Sequence, residues 1–176
     1  MPTEQSVEQL TALLNELCRL PNETQWVEFK HNVDVIKVGE YISALANSAA
    51  LMGKQSAYLV YGVDDKTHEV IGTNFAPSSQ KYKSQELESW LLQKTAPKIH
   101  FQFYEFSYNN DLPVVILEIQ AASHRPVQFD GTEYIRVGSY KKKLREFAEK
   151  ERELWRVFDN TPFEQQLAAE NCRSEQ

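Results

Sequence analysis

Apolar residues recur at Val7, Leu10, Leu13, Leu14 and Leu17, the spacing that paints one stripe on an α-helix. Pro21 marks its stop. Between Trp26 and His31 the period shortens to two. Val27 and Phe29 alternate with Glu28 and Lys30, which predicts a half-buried strand. Asp34 then stands where a helix cap belongs, ahead of a second helix reaching about Leu51. Its small residues, Ser43, Ala44, Ala46, Ser48, Ala49 and Ala50, allow close packing on a sheet. Ala57 to Val63 is apolar at every position but one, so it predicts a central strand covered on both faces. "DDKTHE" turns the chain and "VIGT" returns it as a further short strand. A third helix is predicted from about Ser84 to Lys94, with Leu87, Trp90 and Leu91 facing inward. "IHFQFYEFSY", "NND" and "LPVVILEIQ" read as a β-hairpin. Asp130-Gly131 signals the turn of a second hairpin within "RPVQFDGTEYIRVGS". A charged helix from about Arg145 to Phe158 closes the pattern.

The predicted order, α-β-α-β-β-α-β-β-β-β-α, is an α+β fold: a mixed, largely antiparallel sheet with helices packed against it. It divides into an N-terminal helix (1–20), a central domain (21–158) and a tail (159–176) that starts a further region.

Composition narrows the function. Apolar residues make up 41% and charged residues 25% of the 176, enough to fill one core. No apolar run approaches the roughly 20 residues of a membrane span, and no signal peptide opens the chain. Cys18 and Cys172 are solitary, which excludes a zinc knuckle and suits a reducing cytoplasm. Net charge is −6, yet Arg136, Lys141, Lys142, Lys143 and Arg145 fall in one acid-free stretch carrying +5. A phosphate responds to such a local patch more than to the global sum.

The chemistry-bearing residues are few. Gly53-Lys54 is not a phosphate-binding loop, because position 48 is Ser where a glycine is needed, so no nucleotide cofactor is expected. His31, His68, His100 and His124 lack metal-ligand spacing. Glu23 and Glu28 flank the first strand, and Asp64 and Asp65 follow the buried one. Carboxylates held at strand ends suit Mg²⁺ or Mn²⁺ if they converge. Asp64-Asp65 equally suits a turn, and Glu28 with Lys30 an ordinary ion pair. The basic stretch, with Tyr140 inside it, suits phosphate contact and base stacking. Five engaged charges would give log K against log salt a slope of about −3.5 to −4.5.

Four blocks carry a resemblance: "ETQWVEFK", "VGEYISALANSAA", "LVYGVDDKTHEVIGT" and "YIRVGSYKKKL". In this order they resemble the Schlafen-type AlbA domain, from Glu23 to about Leu144. The resemblance implies a DNA- or RNA-binding module of bacterial transcriptional regulators, with Arg136, Lys141, Lys142, Lys143 and Arg145 on phosphate and Lys30 and Tyr140 nearby. It also implies an alternative. Animal Schlafen proteins use this core as a metal-dependent endoribonuclease, and their acidic triad corresponds to Glu23, Glu28 and Asp65, as catalytic residues and Mg²⁺ or Mn²⁺ ligands. Those proteins join two lobes, whereas this chain has one, so a closed groove would need a homodimer. A third reading is an oligomerisation module.

Overall fold

Ser6 starts the first helix. Its hydroxyl accepts from the Gln9 amide (3.2 Å) and the Gln9 side chain accepts from the Ser6 amide (3.0 Å), a reciprocal capping box. The helix, α1 (Val7–Cys18), buries Leu10, Leu14 and Leu17, the stripe its spacing predicts. The computed structural model describes residues 6–22 and 24–160; the tail from 161 onward lies outside them.

Along the chain follow β1 (Val27–Lys30), α2 (Val35–Leu51) and β2 (Ser56–Tyr61). Next come the two-residue strands β3 (Lys81–Tyr82) and β4 (Gln85–Glu86), then α3 (Leu87–Lys94) and β5 (Thr95–Ala96). The long hairpin is β6 (Phe101–Tyr108) and β7 (Leu112–Gln120), turning through Asn109 and Asn110, both at positive φ. Asparagine tolerates that conformation better than most residues. The second hairpin joins β8 (Gln128–Phe129) to β9 (Thr132–Val137) through Asp130 and Gly131, at φ 49° and 84°. After β10 (Tyr140–Lys143) and a 3₁₀ turn (Leu144–Glu146), α4 (Ala148–Asp159) ends the described chain.

Two four-stranded sheets result. One, in the order β1-β2-β7-β6, is parallel at β1–β2 and antiparallel elsewhere. The other, β10-β9-β8-β5, is antiparallel throughout. The fold is α+β. Helix α2 lies between the sheets and touches strands of both. It is therefore buried almost all round, from Val38-Gly39 and then Ile42 through Ala50. Gly39 is required where α2 meets β8, because a Cβ there would stand 2.1 Å from the Phe129 ring. On the far side of the first sheet, α1 seals a second core with Val27, Phe29, Val60 and Ile116.

Three expectations need correction. "VIGT" forms no strand beyond a single bridge between Val63 and Val70. The helix predicted from Ser84 begins at Leu87, because Gln85 and Glu86 pair with β3. Strand β1 is not half-buried: its polar face is covered as well, and Glu28 is buried.

Candidate nucleic-acid interface

Parallel pairing with β2 sets the direction of each β1 side chain. Glu28 lies beside Leu59 and Lys30 beside Tyr61, on the face toward α2. Val27 and Phe29 point to the α1 core. The face of Glu28 and Lys30 is also reached by β9 and β10. These strands form a hairpin through a two-residue turn, Gly138-Ser139, with Gly138 at φ 63°. Arg136 and Lys141 are paired directly across it, so both side chains project from the same face.

Three buried polar residues of α2 fix this hairpin in place. Ser43 Oγ donates to the Val127 carbonyl (2.7 Å) and accepts from the Tyr134 amide (2.9 Å). Asn47 accepts from the Val127 amide (2.8 Å) and donates to the carbonyls of Val127 (3.0 Å) and Tyr134 (2.8 Å). Ser48 Oγ accepts from the Arg136 amide (3.1 Å). The backbone carrying Arg136 is thus tied to α2, which explains why these polar groups are buried at little cost.

Arg136 reaches back to β1. Its Nη2 stands 2.9 Å from Glu28 Oε2, and Nη1 donates to the Thr24 carbonyl (2.8 Å) and to the Val27 carbonyl. The side chain is 3% exposed and that of Glu28 10%. The buried Arg136 Nε has no hydrogen-bond partner among the described residues. Burial lowers the Arg136 pKa, and the Glu28 charge opposes that shift. Lys30 Nζ sits 3.3 Å from the other carboxylate oxygen. Burial pulls the Lys30 ammonium down, but its hydrogen bond to Tyr41 and the Glu28 charge outweigh that, leaving its pKa above the ordinary lysine value. Lys141 Nζ pairs with Glu40 at 2.8 Å and lies over the Tyr41 ring at 4.8 Å.

The turn after β2 supplies the opposite wall. Asp64 Oδ1 accepts from the amides of Lys66 (2.9 Å) and Thr67 (2.8 Å), which holds the Asp64 pKa below the usual carboxylate value. Asp64 thus serves the turn, and Asp65 and Lys66 face the site. His68 anchors the turn to α1, its Nδ1–H donating to the Cys18 carbonyl at 3.0 Å.

Glu28, Lys30, Asp65, Arg136, Tyr140 and Lys141 line one cavity of about 520 Å³. Lys37 and Lys66 complete it, giving five cations against two carboxylates. Each stands alone in its segment, so neither belongs to a contiguous basic run in the sequence. Lys142, Lys143 and Arg145 are exposed outside the cavity, and none is in an ion pair with a described residue. Their stretch is a strand and a 3₁₀ turn, where the sequence predicts a loop opening a helix. Glu23 lies outside the described residues.

The described residues alone form no site for a divalent cation, and Glu23, the third member of the implied triad, lies outside them. No group of three His, Cys, Asp or Glu residues among them stands close enough to hold one. Glu28 already carries a guanidinium and an ammonium within 3.3 Å, which a metal would have to displace.

The family model described as "Schlafen, AlbA_2" matches residues 23–145. The chain belongs to the Schlafen, AlbA_2 family. The region matched to Schlafen, AlbA_2 includes every predicted site residue, from Glu23 to Arg145. No curated protein matches the chain. A solved structure similar to it is the DIP2311 protein from Corynebacterium diphtheriae, at 18% identity and a TM-score of 0.46. The alignment covers 82% of this chain and 28% of that one, so this Schlafen, AlbA_2 chain spans under a third of its length.

Proposed function

We propose that this chain binds nucleic acid, DNA or RNA, with phosphates drawn to the cationic cavity and to the exposed strand β10. The observation that carries the reading is the trio Lys142, Lys143 and Arg145, exposed and in no ion pair with a described residue, beside a cavity lined by Lys30, Lys37, Lys66, Arg136 and Lys141. In a protein whose net charge is −6, such a local concentration of cations draws in a polyanion. Tyr140, 68% exposed at the rim, offers a ring for base stacking. We infer a wider role as the nucleic-acid-binding part of a bacterial transcriptional regulator, which the family resemblance supports, acting in the cytoplasm, which the two solitary cysteines suit.

The test is fluorescence anisotropy with labelled single and double strands. Tyr140→Ala is expected to weaken single-strand binding by about tenfold, the worth of one stacked base, while leaving its salt dependence unchanged. Absence of binding to every strand by the native chain would overturn the reading.

A further inference from the structure

A second cavity, about 500 Å³, lies beyond the end of β1 and differs in chemistry from the first. Among the described residues its lining holds no Asp, Glu, Lys or Arg. Its polar groups are the side-chain amides of Asn32, Asn74 and Gln80, the Thr73 hydroxyl and the His31 imidazole. Asn32 and Asn74 are exposed, and their side-chain amides hydrogen-bond to no other described residue. Ile71, 38% exposed, and Pro113 add apolar surface. A phosphate would find no lysine or arginine here, and a metal no carboxylate. A flat, neutral, heteroaromatic ligand would find amides for its polar edge and apolar surface for its face.

The two cavities are linked through their walls. Lys30, Lys37 and Tyr41 line both the cationic cavity and a small one of about 130 Å³, and Asn32 lines both the small one and the amide-lined one. The backbone leaving β1 makes the same passage in two steps, from Lys30 to Asn32. A strand with its phosphate at the cationic end would bring a neighbouring base to the amide-lined end.

We propose that the amide-lined cavity is a subsite for one unpaired nucleobase, read by the amides of Asn32 and Asn74. The subsite rests on the nucleic-acid reading above. Asparagine presents a donor and an acceptor side by side, as the edge of a base does, and unpaired bases are the ones whose edges are open to protein. The base is common to DNA and RNA, so the strand's sugar is left to the test.

The experiment measures the affinity of the full chain for single-stranded homo-oligomers, ribo and deoxy, and for an abasic strand of equal length. The native chain is expected to bind base-bearing strands about tenfold tighter than the abasic one and to rank the homo-oligomers. Asn32→Ala with Asn74→Ala should remove most of that ranking and leave abasic binding unchanged. Both residues are exposed, so the fold should survive, and circular dichroism checks it. Equal binding of base-bearing and abasic strands by the native chain, or full ranking in the double variant, would overturn the subsite but not the phosphate contacts. Failure of the native chain to bind any strand would overturn the nucleic-acid reading and the subsite together. A preference for one sugar that persists in the double variant would assign the sugar contact to the cationic cavity and leave the subsite standing.

Discussion

Glu28 decides how the site is held. Its carboxylate is the shared anion of Arg136 and Lys30, and it is buried with the first of them. Removing one member of a buried pair strands the other, so Glu28→Ala should cost about 3–5 kcal/mol in urea unfolding. Combining Glu28→Gln with Arg136→Met should cost clearly less than the sum of the single changes, since the double removes both charges. Loss of a function in Glu28→Ala would therefore report on folding as much as on chemistry, and the double-variant cycle separates the two. The alternation at Val27–Lys30 makes the strand legible in the sequence, and Lys30 legible as a neighbour of Glu28. The Arg136 contact is not legible, because it joins residues more than a hundred positions apart through the placement of two sheets. That contact also changes the charge account. Arg136 and Lys141 have carboxylate partners inside the protein, which leaves Lys142, Lys143 and Arg145 as the members of the basic stretch with no ion-pair partner among the described residues.

At the scale of elements, α2 carries the architecture. Its small residues promise close packing on one sheet, and the helix in fact packs between two. What periodicity could not give is that Ser43, Asn47 and Ser48 spend their polarity on the backbone of the second sheet. Asn47→Ala leaves the buried amide of Val127 and the carbonyl of Tyr134 without their partner, so a loss of about 3 kcal/mol is expected in thermal or urea unfolding. Gly39→Ala should also destabilise, through its collision with Phe129. Strand β10 escaped the sequence because three adjacent lysines have low strand propensity, and only pairing with β9 overrides it. The turn signals were legible where glycine or asparagine met a positive φ, at Asn109-Asn110 and Asp130-Gly131.

Over the whole molecule, charge is separated. The stretch from Arg136 to Arg145 carries +5 within a chain of net −6. One acid sits badly in this distribution: burial, and then the charge of Glu151, raise the Glu133 pKa above its ordinary 4.5. An acid whose folded pKa is raised costs stability once it ionises, and costs nothing below its unfolded value. The Glu133 contribution to stability should therefore fall as pH rises from about 4.5 through the folded pKa. Glu133→Gln should raise the Tm at neutral pH and leave it unchanged at pH below 4, a comparison that scanning calorimetry makes directly.

The central claim is that the exposed cations beside the cavity engage phosphates. Its most direct measurement is the affinity for a single-stranded oligonucleotide across a salt series, for the native chain and for Lys142→Ala, Lys143→Ala, Arg145→Ala combined. Native affinity is expected to fall steeply with salt, and the triple variant to bind more weakly with a log–log slope shallower by about 2. An unchanged slope in the triple variant, or native binding indifferent to salt, would contradict it.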